Sequence, residues 1–129
     1  MRQADFHADG WCLDDGEARS LEAPGTFWIP AREDRERLGP GDLVKLIFRI
    51  AVDSAAAPVA VERMWVRVRE RVEGGYRGIL ANDPSALARN DELWSGVEIP
   101  FEPRHVIDIE PADEAGEALA KAPPTRRWR

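Results

Sequence analysis

A chain of 129 residues is the usual length of one domain and can bury about two-thirds of its unfolded surface, so a single core is expected. With 43% apolar and 33% charged residues the composition is that of a globular protein, and no run of about 18 apolar residues exists to cross a bilayer, so no membrane role is expected. A net charge of -6 removes any general attraction for nucleic acid or anionic lipid, which leaves only a local basic patch able to supply one.

The start of the chain is acidic and broken by polar residues, unlike the basic start and apolar stretch of a secretory signal. Cys12 is the single cysteine and forbids an intrachain disulfide. Both features predict a cytoplasmic protein. Arginine outnumbers lysine 16 to 2, which reads as genomic composition rather than as the mark of a site.

Residues 1–41 read as an N-terminal extension packed on the core. Asp9-Gly10 and Asp14-Asp15-Gly16 are turn chemistry around Trp11-Cys12-Leu13, which predicts a brief strand, and Phe27-Trp28-Ile29 predicts another. Pro30 suits the first turn of a short helix over 31–38, because its missing N–H would be unpaired there anyway. Gly39-Pro40-Gly41 ends that helix.

Residues 42–110 read as a β core. Two long strands, 43–52 and 59–72, are rich in branched residues and separated by a loop over 53–58. The period-2 rule puts Met64, Val66, Val68 and Val72 of the second strand toward the core, and Arg63, Trp65, Arg67, Arg69 and Arg71 on the other face. Glu73-Gly74-Gly75 supplies the turn. A two-residue Gly74-Gly75 loop would set Glu70 against Ile79. A three-residue loop with Gly75 left-handed would pair Val72 with Tyr76 and Val68 with Leu80, keeping apolar partners together, and is preferred. In that register Arg71 faces Arg77, which nothing in the pattern explains.

The returning strand, 76–82, runs into Asn82-Asp83-Pro84, where Asp83 can cap a short helix over 84–90. Two short strands, 96–101 and 106–110, then flank a break at Glu102-Pro103-Arg104-His105. Five strands with this order of lengths predict a mainly β (α+β) fold, either a small SH3-like barrel or a curled antiparallel sheet with a helix packed across it. Pro111 opens a C-terminal helix over 111–122, and Pro123-Pro124 stops it before a flexible basic tail, so residues 111–129 form a third region.

The string Glu62-Arg63-Met64-Trp65-Val66-Arg67-Val68, followed by Gly75-Tyr76-Arg77-Gly78-Ile79-Leu80-Ala81-Asn82-Asp83-Pro84, resembles the bacterial family catalogued as domain of unknown function 2314. Gly41-Asp42-Leu43-Val44-Lys45-Leu46 and Val106-Ile107-Asp108 extend the resemblance over 41–109. Members of that family often carry His before the Met-Trp pair where this chain has Arg63, and the stretch between Pro84 and Glu98 is longer and more acidic than theirs. The resemblance implies a fold and a bacterial source rather than a reaction. Related small domains occur among immunity proteins of bacterial toxin systems, which implies a binding role by analogy.

Trp65 amid Arg63, Arg67, Arg69 and Arg77 can form a stacking platform with phosphate-binding flanks, as single-strand binders on barrel folds do. The packing alternative carries more weight, with Trp65 covered by Trp11 or Trp28 and the arginines paired with Glu62, Glu70 and the acidic first 41 residues. Nucleic acid is therefore the disfavoured partner.

Cys12 invites a thiol nucleophile with His7 or His105 as base, but a lone cysteine between Trp11 and Leu13 is more often a small buried hydrophobe. The cluster Asp5, His7, Asp9, Asp14 and Asp15 matches neither a calcium loop nor a zinc pattern, and Glu98, Glu102, Asp108 and Glu110 single out no catalytic pair. No catalytic residue, cofactor or metal is expected. A non-catalytic protein-interaction domain of the immunity-protein kind ranks first, ahead of a nucleic-acid-binding barrel and a small enzyme. A protein partner and a monomeric or weakly dimeric state complete the expectation.

Overall fold

The branched runs pair as long antiparallel neighbours, because each carries a continuous apolar row that only a facing strand and a shared core can bury. A computed structural model describes residues 1–82 and 92–129; the expected helix over 84–90 and the Asp83 cap lie outside the described residues. Strand β2 (Leu43–Ala51) pairs along its whole length with β3 (Val59–Val72), which turns back into β4 (Gly75–Leu80), followed by β5 (Glu98–Phe101). The other edge of β2 is shared end to end by β1 (Trp11–Leu13), which pairs with Phe48, Arg49 and Ile50, and β6 (Asp108–Glu110), which pairs with Leu43, Val44 and Lys45. The fold is mainly β, a single antiparallel sheet curled into a half-barrel, with short helices around it. A single 3-10 turn, Pro103–His105, joins β5 to β6.

The period-2 orientation of the hairpin holds as far as the bulge at Val68: Met64, Val66, Val68, Tyr76 and Leu80 are all buried in one core with Val44, Leu46, Phe48, Ile50, Ile99 and Phe101, whereas Val72, expected on the same face, lies beyond the bulge and is only half-buried. Each such side chain contributes about 1.5–3 kcal/mol when fully buried, whereas an exposed ion pair on the outer face contributes about 0–1. Core packing therefore decides the register. The preferred loop is corrected, however. Val72 pairs with Gly75 across a two-residue Glu73-Gly74 loop, with Gly74 at φ +81, where a side chain would be strained. A bulge between Val68 and Glu70 then shifts the ladder, so that Val66 meets Leu80 and Val68 meets Gly78. Gly78 is fixed by close approach, since a Cβ there would stand 2.6 Å from the Arg67 carbonyl oxygen. The Arg71–Arg77 clash disappears with this register. Arg77 faces Glu70 and pairs with it at 3.2 Å, and Arg71 lies over the Tyr76 ring.

The first 41 residues contain more helix than their turn chemistry suggests. Asp5 caps α1 (Phe6–Asp9), accepting from the backbone N–H groups of His7 and Ala8, and Asp15 caps α2 (Gly16–Glu22), accepting from Ala18. The single turn α3 (Arg32–Arg35) replaces the expected helix over 31–38, with Ala31 rather than Pro30 at its N-terminus. Trp11-Cys12-Leu13 is the expected strand, and Trp11 is a core residue, its ring tilted against Phe48 and meeting Trp128 edge-on. Phe27-Trp28-Ile29 is not a strand.

The C-terminal helix α4 (Glu114–Ala120) is shorter than expected, because Asp113 caps it and Pro111 stays outside. The tail beyond it is tied down rather than loose. Arg126 bridges Val97, the Trp128 backbone N–H donates to Glu98 at 3.0 Å, and the Trp128 indole donates to the Arg2 carbonyl at 2.8 Å. No helix among the described residues is long and apolar enough to cross a membrane.

Candidate functional site

The outer face of the sheet can be read in rows. Arg67 of β3 lies beside Leu43, with Glu110 on the far side of Leu43, Trp65 lies beside Lys45, with Asp108 on the far side of Lys45, and Arg63 lies beside Ile47. These rows meet different fates.

At the Arg67 end, the face is closed by α4. Arg67 donates from Nη1 to the Gly41 carbonyl at 2.9 Å, and Arg69 donates from Nε to the Ala120 carbonyl at 3.2 Å. Arg69 also approaches Glu98 at 3.5 Å, with the Glu98 side chain only 3% exposed. That carboxylate also receives the Trp128 N–H, so one buried acid holds both an arginine of β3 and the C-terminal tail. Arg67, Arg69 and Arg77 thus each have a partner within the chain, and Arg77 sits at the hairpin end with Glu70.

At the other end, Ile47 is buried on this outer face, and its carbonyl accepts from the Asp14 backbone N–H of the N-terminal extension at 2.9 Å. Gly16, the first residue of α2, approaches so closely that a Cβ would stand 2.7 Å from Ile107 Cγ2. Arg35 locks the arrangement. It is buried, and its guanidinium donates to the Pro30 carbonyl at 2.9 Å, to Glu17 at 2.8 Å and to the Pro103 carbonyl at 3.0 Å. Its own carbonyl accepts from the Tyr76 hydroxyl at 2.9 Å.

Between the extension and the sheet a cleft of about 460 Å³ stays open, lined by residues 26–30 with Lys45, Arg63, Ile107 and Asp108. Its cations rest on rings. Lys45 Nζ lies 4.9 Å from the centre of the Trp65 ring, and the Arg63 guanidinium 5.4 Å from the centre of Phe27. Among the described residues neither cation makes an ion pair, although Lys45 lies beside Asp108 in the register. Trp28 stands at the rim, 80% exposed, and its indole N–H is already satisfied by the Pro24 carbonyl at 3.1 Å. Trp65 is half-buried, with its backbone N–H donating to Asn82 Oδ1 at 2.6 Å. The covering of Trp65 by Trp11 or Trp28 does not occur: Trp11 is in the core and Trp28 faces outward.

Two of the catalytic candidates, Cys12 and His105, have shifted pKa values. Burial pushes the Cys12 thiol pKa up, and the nearby Asp14 carboxylate adds to the effect against a smaller pull from Arg49. His105 is 2% exposed, and its Nδ1 accepts from the Glu102 backbone N–H at 2.9 Å. Burial, with the Arg104 charge beside it, lowers its pKa to about 4. Among the described residues no three His, Cys, Asp or Glu side chains are grouped closely enough to hold a metal ion. Asp5 and Asp15 serve as helix caps, Asp9 holds Arg2 at 2.6 Å, and Asp14 holds Arg19 at 2.5 Å.

No family model, curated protein or solved structure matches this chain. The candidate site therefore stands on geometry. Of the residues singled out in the sequence, Arg63 and Trp65 belong to the open end, and Arg67, Arg69 and Arg77 do not. Lys45, Phe27 and Trp28 join them there. The β2–β3 register was the signal for Lys45, and an aromatic pair in a loop between Pro24-Gly25 and Pro30 was the signal for the other two.

Proposed function

We propose that this chain is a non-catalytic protein-interaction domain of a bacterial cytoplasm, in keeping with its resemblance to the domain of unknown function 2314 family. One observation carries the reading. Trp28 is a large aromatic side chain left exposed at the rim of a cleft, with its only polar atom already satisfied, so contact with a partner buries ring area without stranding a donor. The Pro24 hydrogen bond also fixes the ring before any partner arrives, which lowers the entropy lost on binding. The raised thiol pKa of Cys12 and the buried, neutral His105 weigh against the enzyme reading. The use of Arg67, Arg69 and Arg77 within the chain weighs against a nucleic-acid surface, which needs several free cations in a continuous stripe.

A photo-crosslinking side chain placed at position 28, and in a control chain at the equally exposed Leu21 of α2, tests this. Illumination in the native cell extract is expected to give a protein adduct from position 28 and none from position 21. Equal labelling from both, or none from either, overturns the reading.

A further inference from the structure

The open cleft combines cations that make no ion pair among the described residues with an exposed aromatic rim. Lys45 and Arg63 direct positive charge into it, and in the described structure their charges are met by the faces of Trp65 and Phe27 rather than by carboxylates. A cation over a ring keeps its charge available, whereas a cation in an ion pair has spent it. Among the described residues nine other arginines, among them Arg19, Arg35 and Arg104, do meet a carboxylate. The chain as a whole carries -6, so a cationic cleft is a local inversion of the molecule's charge. Beside the two cations stand the apolar surfaces of Phe27, Trp28, Ile29 and Ile107.

We propose that this cleft binds an acidic segment of a partner protein, with one or two Asp or Glu carboxylates on Lys45 and Arg63 and an apolar side chain against Trp28. The proposal rests on the protein-interaction reading above and adds to it the chemistry of the partner. Charge complementarity selects the acidic class. Two cations suffice for one or two carboxylates, whereas a phosphate polymer needs a longer cationic stripe than a cleft with two cations and the Asp108 carboxylate in its wall supplies. Hydrogen bonding by the Asp108 carboxylate is directed to the Ile109 backbone N–H, which keeps that charge in place beside Lys45.

The test uses the whole chain and fluorescence anisotropy of labelled Asp/Glu-rich peptides carrying a central leucine, with a Lys-rich counterpart and a single-stranded dT oligonucleotide as comparison probes. The acidic peptides are expected to bind, to weaken as salt rises from about 0.05 to about 0.5 M, and to bind at least about tenfold more weakly to K45E/R63E and to W28A. K45Q/R63Q, which removes charge without reversing it, is expected to show the same direction, and thermal unfolding verifies that each variant is folded. Equal or tighter binding of the Lys-rich peptide or the oligonucleotide overturns the acidic class, and undiminished binding to folded K45Q/R63Q overturns the site. Failure of the acidic peptides while the position-28 adduct persists overturns only the partner chemistry. Loss of both removes the interaction reading with it.

Discussion

The two ends of the outer sheet face carry similar side chains and use them in opposite ways. At one end Arg67 reaches the Gly41 carbonyl ahead of β2, and Arg69 reaches the Ala120 carbonyl of α4 and the buried Glu98 carboxylate that also holds the tail. At the other, Lys45 and Arg63 lie over aromatic rings and keep their charge facing a cleft. The difference teaches that an arginine-rich strand is not in itself a binding surface. What the cation touches decides its role: an acceptor already present in the chain makes it scaffold, and a ring beside open space leaves it available.

Breaking the closed end should have the largest effect. Arg69→Ala leaves the Glu98 carboxylate buried without its cation, and removal of one partner of a buried pair costs about 4 kcal/mol. Chemical denaturation should show that loss, and a change below about 1 kcal/mol would mean that Glu98 is held by Trp128 alone.

The second effect is pH-dependent and lies on the turn between β5 and β6. The folded-state pKa of His105 is about 4, below the usual 6.5, so the unfolded chain takes the proton first as pH falls. The stability owed to neutral His105 is present above pH 6.5 and is lost as the pH drops toward 4, by about 3 kcal/mol in all. Asp9 contributes in a lower window. Its hydrogen bond from Arg2 holds its pKa below 3.8, so its share is lost only as pH falls below that value. For Asp15, burial raises the pKa, but the Ala18 N–H and Arg104 outweigh it, and the same lower window applies. Unfolding curves between pH 7 and 4 should therefore slope in the native chain and flatten in His105→Asn, a comparison that isolates the imidazole.

The smallest effect on stability is expected at the open end, which sharpens the contrast. Trp28→Ala should change the unfolding free energy by less than about 0.5 kcal/mol, because the ring is exposed and its loss leaves no buried donor unpaired. A larger loss in thermal unfolding would move Trp28 from the site into the scaffold.

Much of the hairpin was legible in the sequence, because alternation along β3 leaves one arrangement that buries Met64, Val66 and Val68 together. The loop was not, since the apolar pairing that argued for three residues is achieved instead by a two-residue loop followed by a bulge, and a bulge carries little sequence signal. Phe27-Trp28-Ile29 has strand composition but joins no edge of the sheet. Both stretches of the free side of β2 are already taken by β1 and β6. Asp14-Asp15-Gly16 reads as a turn until Ile107 is placed beside Gly16, which shows that the glycine serves close packing of a helix start. The arginines lost their individual meaning in the composition. Arg35 joins Pro30, Glu17 and Pro103, a role visible only once distant segments meet. The candidate site was half legible: Arg63 and Trp65 share a strand face by period, whereas Lys45, Phe27 and Trp28 come to them through tertiary contact.

The shared edge of β2 also bears on how the chain reaches this state. β2, β3 and β4 are neighbours in sequence and can zip together over short loops, but the remaining edge waits for two segments drawn from opposite ends of the chain. Closing such distant loops costs entropy before the contacts form, so this edge belongs to the late side of the folding barrier. In stopped-flow kinetics, a truncation such as Ile109→Ala should speed unfolding while leaving the folding rate nearly unchanged, and Val66→Ala should slow folding. A sheet whose outermost row is completed last is one that stays open to rearrangement until nearly the whole chain is available.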